Sequence, residues 1–491
     1  MIGRQNEIIQ LEKLCEQNKT SLAVLHGRRR IGKTYLIRKL FEKHKDSCAF
    51  FEFTGKQDSS TESLISEFIY IVEEWIRISP EKEIKTWAEA FIYFKKAIDQ
   101  SGIDKSKKMI LFFDEIPWID KTGKAKFLSE LGHFYNTFCE KKGNVIMILC
   151  GSNASWITKK IIRDESGPWH HRVDEIIHML PFTLAETKEF LKVEKGIACD
   201  NKTVFDYYMA IGGVAKYLSY IEGDLTYAQN INKLFFEKDS RLHREYAVLF
   251  ETLFSSRDSL HSKVMAVLET KKSGFTTTKI REQIVKGSMP TLINCIKELI
   301  ECGFILDVNK FGNLSKDSRY IICDPFCLFH HRWVEPIARS IILRSDNYWS
   351  KQYGSHAYSV WSGFAFEIAC LNNIDLYLNA RGTKGVYKNS AYWNYVSLDK
   401  EEQGAQIDIL IEYENDAYEI VECKYYDDEF TISKDYAKNL KNKKQMFIKY
   451  GLNRKKYDIK MSMLTSYGTK KNSWYDNVGI NNNISIDDLL S

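Results

Sequence analysis

Gly27-Arg28-Arg29-Arg30-Ile31-Gly32-Lys33-Thr34 is a complete GxxxxGK[ST] stretch. Its glycines let backbone N–H groups turn toward phosphates, Lys33 supplies a point charge for the β and γ phosphates, and the Thr34 hydroxyl can ligate Mg²⁺. A loop of this kind works only between a strand and a helix. Ser21 to His26 reads as a short buried strand, and Tyr35-Leu36-Ile37-Arg38-Lys39-Leu40-Phe41 carries apolar residues at helical spacing. ATP and Mg²⁺ are therefore the expected ligands, with residues Gly27 to Tyr35 around the phosphates.

Two carboxylates supply the next part. Met109-Ile110-Leu111-Phe112-Phe113 is a near-continuous apolar run ending in Asp114-Glu115, the pattern of a strand buried on both faces of a parallel sheet. Ligands of α/β sheets bind at such C-terminal strand ends. Asp114 is expected to hold Mg²⁺ through water, and Glu115 to orient and deprotonate the water that hydrolyses ATP. A third buried strand, Asn144 to Cys150, ends in Gly151-Ser152-Asn153, where a polar residue either senses the γ-phosphate or simply forms the turn.

A second constellation lies far downstream. Ile407-Asp408-Ile409-Leu410-Ile411 and Ala417-Tyr418-Glu419-Ile420-Val421-Glu422-Cys423-Lys424-Tyr425 read as two strands of a hairpin joined by a polar turn. The strand period of two puts Glu422 and Lys424 on one face, and Asp408 joins them if the register permits. An Asp, a Glu and a Lys so placed are the parts of metal-assisted phosphodiester hydrolysis: the carboxylates hold Mg²⁺ and the lysine stabilises charge or positions water. A solvated charged face, or a catalytically silent fold used for binding, is the competing reading.

The segments between must position these groups. From Thr183 to about Phe250 apolar residues recur at helical spacing, interrupted at Gly212-Gly213-Val214, which suggests a helical lid. Residues 259–323 give three helices and a hairpin, the order of a winged helix-turn-helix, whose third helix normally enters a DNA major groove. Lys297 is the one basic residue on that helix, so a protein-binding or architectural role competes with DNA binding. Cys323, Cys327, His330 and His331 are close enough to suggest zinc, although the neighbouring Phe326 and Phe329 favour packing.

Composition bounds the rest. A chain of 491 residues is too long for one core, and with only 7 prolines it has little room for long disordered linkers. No apolar run approaches a membrane-spanning length and no basic-then-apolar leader opens the chain, so a cytoplasmic protein without membrane contact is expected. The 11 dispersed cysteines fit reduced thiols. A net charge of +5 permits nucleic-acid contact without requiring it.

Together the opening Ile2-Gly3-Arg4 with Glu7, the loop at 26–34, Phe113-Asp114-Glu115, Cys150-Gly151-Ser152 and Leu180-Pro181-Phe182 resemble the archaeal-type, STAND-class P-loop ATPases related to AAA+ proteins. The resemblance implies that Gly3 and Arg4 lie near the adenine, that Arg172 faces the nucleotide, and that Gly212-Gly213 belongs to a lid closing on it. A glycine usually precedes that arginine in the family; here it is His171. Asp324-Pro325-Phe326 resembles a segment of ATPases carrying the C-terminal DUF234 domain. Residues 350–470 resemble the PD-(D/E)xK nucleases, which adds Glu367 as a further metal-holding acid.

The expected fold is α/β: a P-loop NTPase parallel sheet (1–180), a helical lid (181–255), a winged helix-turn-helix with connector (256–345) and a restriction-endonuclease-like domain (346–491). The expected function is ATP hydrolysis coupled to DNA binding and Mg²⁺-dependent DNA cleavage. A signalling or scaffold ATPase that binds protein or DNA without cutting is the alternative; a protein partner at the winged helix and oligomerisation stay open.

Overall fold

A computed structural model describes residues 2–104, 106–120, 126–254, 259–284, 288–308, 311, 318–337, 347–397, 402–452 and 456–491. The chain divides into two compact units, Met1–Leu180 and Pro181–Ser491.

The first unit is built on five strands: β1 (Ser21–His26), β2 (Cys48–Thr54), β3 (Lys108–Asp114), β4 (Val145–Gly151) and β5 (Glu175–His178), in the order β2-β3-β4-β1-β5. Every pairing is parallel. Parallel strands need cover on both faces, which explains why β1 and β4 are buried throughout. Successive residues of β3 feed opposite cores. Ile110 and Phe112 pack with Leu36, Ile37 and Leu40 of the helix after the loop, whereas Leu111 and Phe113 join an aromatic cluster with Phe68, Trp87 and Phe94. Because β4 lies between β1 and β3, its C-terminal end separates the loop from the acidic pair.

The second unit begins with helices, among them Leu184–Val193, Asn201–Ile211, Tyr227–Phe235 and Glu245–Phe254. The helix Asn201–Ile211 stops at Gly212, whose φ is 65°. At Gly213 a Cβ would stand 1.8 Å from the Phe182 carbonyl oxygen, so only glycine allows that close backbone approach. Three helices follow, Leu260–Glu269, Thr277–Gln283 and Met289–Glu301, then the antiparallel pair β6 (Ile305–Val308) and β7 (Arg319–Ile322).

A mixed sheet closes the unit, with strands β8 (Tyr387–Tyr395), β9 (Ala405–Tyr413), β10 (Ala417–Lys424), β11 (Asp458–Thr465) and β12 (Asn482–Ser485) in the order β12-β11-β10-β9-β8. β8, β9 and β10 pair antiparallel, while β10, β11 and β12 pair parallel. On one face, Leu440 and Phe447 of the helix Lys434–Tyr450 pack against Tyr418 and Ile420. Toward the other, β10 directs Glu419, which accepts from Tyr377 (2.8 Å), Tyr413 (2.5 Å), Arg381 (3.2 Å) and Asn482 (2.9 Å), and also from Ser462.

Asp206, at 2% exposure, ties the helices to this sheet. Its carboxylate accepts from Tyr353 (3.0 Å), Tyr358 (2.7 Å) and Tyr425 (2.6 Å) and pairs with Lys202 (3.2 Å). Deleting it would leave three buried tyrosine hydroxyls without their acceptor and Lys202 with Asp427 as its remaining carboxylate. Asp206→Ala is therefore expected to destabilise the second unit by about 3–5 kcal/mol, read as a lower denaturant midpoint at unchanged m-value. An unchanged midpoint would remove Asp206 as the anchor.

Candidate functional site

Two sites emerge, one in each unit. In the first, the loop leaves β1 at Gly27, where φ is 150° and a Cβ would come within 2.2 Å of the Met179 carbonyl oxygen. Lys33 Nζ spans the loop it belongs to, donating to the carbonyls of Gly27 (2.8 Å) and Arg28 (3.0 Å). Thr34 Oγ1 donates to Asp114 Oδ2 at 2.5 Å. The hydroxyl and the carboxylate expected to serve Mg²⁺ thus converge as hard oxygens, which fits that ion.

Gly3-Arg4 reaches the same loop. Arg4 is buried, donates to the Ile31 carbonyl (3.3 Å) and pairs with Glu7 (3.3 Å). The three loop arginines diverge: Arg28 is buried, Arg29 lies over the Trp118 ring at 4.9 Å, and Arg30 holds a left-handed backbone with φ of 69°. Ile31 is buried, Gly32 has φ of 99°, and Tyr35 is exposed. His26, the last residue of β1, stacks on His178 at 4.6 Å. Burial, then His178 and Lys33, push its pKa down to about 4, so the ring is neutral beside the loop at pH 7.

Glu115 sits in a left-handed conformation, φ 49°, just past β3. For a residue with a Cβ this costs on the order of 1 kcal/mol, retained where neighbours fix the geometry. Ser152 is that neighbour: its N–H (3.1 Å) and Oγ (2.8 Å) both donate to Glu115 Oε2. Asn153 instead caps the following helix by accepting from Trp156 N–H at 2.9 Å. Arg172 does not join these residues. Its guanidinium pairs with Glu140 at 2.6 Å, and it precedes β5, at the end of the sheet opposite the loop. The expectation that it faces the nucleotide is not met by this placement, because a carboxylate of its own unit holds it there.

The second site lies where β9 and β10 meet the helices His356–Asn372 and Lys434–Tyr450. Paired residues run to Val421 opposite Ile409, so the next step sets Glu422 opposite Asp408. Lys424 Nζ lies 2.9 Å from Glu422 Oε1 and 3.9 Å from Asp408 Oδ2. Asp408 also accepts from Cys423 N–H at 3.0 Å.

Two groups unforeseen from the sequence complete the cluster. Lys443 Nζ lies 2.5 Å from Glu422 Oε2 and 3.8 Å from Asp408 Oδ1, and the Tyr436 hydroxyl donates to Glu422 Oε1. A signal for them exists. Tyr436, Leu440, Lys443 and Phe447 share one helical stripe, so Lys443 occupies a position otherwise filled by core residues.

Asp408 borders two clefts. One, of about 650 Å³, is lined by Lys271, Lys272, Arg319, Glu367 and Asp408; the other, of about 640 Å³, by Asp408, Glu422, Lys424, Tyr436 and Lys443. Burial, and then the neighbouring Asp408, push the Glu367 carboxyl up to about 8 despite Lys424. Burial and Glu422 raise Asp408 to about 6. Burial alone would raise Glu422 too, but Lys424 and Lys443 outweigh it and bring its pKa below the ordinary value. Burial is thus the first cause of both raised values, and a divalent cation bound there would favour the ionised carboxylates.

Comparison with known proteins bears on the first site. Residues 1–221 match the family model of an ATPase domain predominantly from Archaea. An uncharacterized protein of Methanocaldococcus jannaschii is 23% identical over 368 residues, 74% of this chain and 75% of its own length. An uncharacterized ATP-binding protein of the same organism is 46% identical over 44 residues, 9% of this chain and 75% of that protein. Among solved structures, the Walker-type ATPase PABY2304 of Pyrococcus abyssi aligns at a TM-score of 0.48 with 17% identity, covering 67% of this chain and 95% of that one. No helix among the described residues is long and apolar enough to cross a membrane. With a GKT loop on β1, an acidic pair ending β3 and a family match over the same residues, the N-terminal region of this chain is a P-loop ATPase domain of the archaeal type.

Proposed function

We propose that this chain is a cytoplasmic, ATP-driven DNA-processing protein in which residues 346–491 form a Mg²⁺-dependent nuclease of the PD-(D/E)xK type. Residues 181–255 are read as the lid of the ATPase and residues 256–345 as a DNA-binding winged helix, features of STAND-class ATPases of the DUF234 group. The observation that carries the proposal is the convergence of Glu367, Asp408, Glu422 and Lys424 beside two clefts.

In the ATPase, Lys33 and the loop N–H groups bind phosphate, while Glu115, held by Ser152, takes the proton of the attacking water. In the nuclease, Glu367, Asp408 and Glu422 would hold Mg²⁺, which supplies a Lewis acid for a phosphoryl oxygen. Lys424 stabilises the charge that grows on phosphate, and Lys443 fixes Glu422.

One observation favours a second reading, a signalling or scaffold ATPase. Both Glu422 oxygens are already met by Lys424, Lys443 and Tyr436, as in a binding fold that no longer cuts. Mg²⁺-dependent nicking of plasmid DNA by the full-length protein, abolished in Glu422→Ala, separates the two. Absence of nicking by the wild type would leave the scaffold reading.

Further outcomes are expected. Lys33→Ala should abolish ATP turnover and weaken nucleotide binding, whereas Glu115→Gln should keep binding and lose hydrolysis by roughly 10²–10⁴-fold. Ser152→Ala, which leaves Glu115 in place but unsteadied, should fall between Glu115→Gln and wild type. Wild-type turnover by Glu115→Gln would show that another group is the base.

The Glu367 carboxyl, at about 8 when folded against 4.5 as a free group, gives a signed pH test. The folded state keeps a proton that the unfolded chain releases, so this contribution is complete below pH 4.5 and disappears as pH rises through 8. Glu367→Gln is expected to stabilise the metal-free protein by about 4 kcal/mol at pH 8 and by almost nothing at pH 4. Mn²⁺ should raise the Tm of wild type at pH 8 more than that of the variant. Equal Tm values at pH 8 would mean that burial does not raise the Glu367 carboxyl.

A further inference from the structure

Outside both sites, the helix Pro325–Phe329 widens into a π-helical turn at His330–Val334, marked by the Glu335 N–H bonding the His330 carbonyl at 2.9 Å. Such turns change which side chains share a face and are frequent at functional positions. Here the turn brings His331 Nδ1 to 2.7 Å from Glu335 Oε2. Candidate ligand atoms of His330, His331 and Glu335 all lie within 4.8 Å of one another.

We propose that His330, His331 and Glu335 bind a divalent transition-metal ion of the Zn²⁺ class, at a place separate from the phosphate loop and from the Asp408–Glu422 cluster. Four-coordinate Zn²⁺ with bonds near 2.1 Å places its ligand atoms roughly 3.3 Å apart, so modest side-chain rotations suffice. Three features beyond proximity point to an ion. First, His330 is 8% exposed, yet its Nδ1 has no hydrogen-bond partner among the described residues. Buried ring nitrogens of this kind normally have one.

Second, Glu269 Oε2 stands 3.3 Å from the same His331 Nδ1 that faces Glu335. One N–H cannot serve two carboxylates well, whereas an ion bound between the rings and Glu335 would attract both. Third, the rings are held in place: Tyr246 stacks on His330 at 4.6 Å and meets His331 edge-on at 4.8 Å.

The donor set selects the metal. Two imidazoles and a carboxylate suit Zn²⁺ and its neighbours and disfavour Mg²⁺ and Ca²⁺. The thiols suggested by the sequence are not among the convergent ligand atoms, and Cys323 Sγ contacts the Gly303 carbonyl at 3.6 Å. Three protein ligands leave a coordination position for water. The ion would join the turn at 330–335 to the helix Glu245–Phe254 through Tyr246 and to the helix Leu260–Glu269 through Glu269.

Full-length protein stripped by chelator and kept reduced should bind one equivalent of Zn²⁺ by calorimetry in the presence of excess Mg²⁺, with a rise in Tm. Co²⁺ in its place should give a d–d spectrum without a thiolate charge-transfer band. Glu335→Gln changes a largely exposed ligand and should fold normally while weakening Zn²⁺ roughly tenfold or more. His331→Ala should lose the site, and circular dichroism reports whether that variant folds. Failure of the wild type to bind Zn²⁺, a thiolate band with Co²⁺, or undiminished affinity in Glu335→Gln would overturn the proposal. None of these readouts depends on ATP or DNA cleavage.

Discussion

A carboxylate taken out of water must be met by donors or cations, and this chain buries several at the points where its elements join. Asp114 is met by Thr34, Asp206 by three tyrosines and a lysine, Glu419 by five side chains, and Glu422 by two lysines and a tyrosine. In each case the partners come from different segments, so satisfying the charge also fixes the packing. Glu367 differs: burial and the neighbouring Asp408 push its carboxyl up to about 8 despite Lys424.

The contrast separates structural acids from candidate catalytic ones. Glu419 and Glu422 are three residues apart on one strand and equally buried, but alternation sends them to opposite faces. Glu419 meets a closed set of hydroxyl, amide and guanidinium donors, while Glu422 borders a cleft with Asp408 and Lys424. Directly after Lys424, Tyr425 donates to Asp206 on the helix Asn201–Ile211. That helix lies within the 221 residues matched by the ATPase family model, so the matched segment is tied by a hydrogen bond to the strand carrying Glu422 and Lys424.

The sequence was legible where chemistry is local. The loop between β1 and its helix, and the acidic pair ending β3, follow from runs of apolar residues and their punctuation, which depend only on near neighbours. Asp206 was opaque because its tyrosine partners lie 147, 152 and 219 residues away. Family resemblance points Arg172 to the nucleotide, but the chain places it just before β5, at the other end of the strands from the loop, where it pairs with Glu140. Lys443 and Tyr436 were readable in principle, as a charge and a hydroxyl on an apolar helical stripe. The spacing at 323–331 offers two thiols, whereas the ligand atoms that converge are those of His330, His331 and Glu335, because the π-helical turn decides which side chains share a face.

We propose that nucleotide in the N-terminal domain sets the rate of phosphodiester cleavage at Asp408, Glu422 and Lys424. Single-turnover cleavage of labelled DNA by the full-length protein in Mg²⁺, with and without ATP, decides this. The expected result is a cleavage rate that changes with ATP and loses this dependence when Lys33 is replaced by alanine. Cleavage at the same rate with and without nucleotide, or no cleavage under either condition, would contradict it.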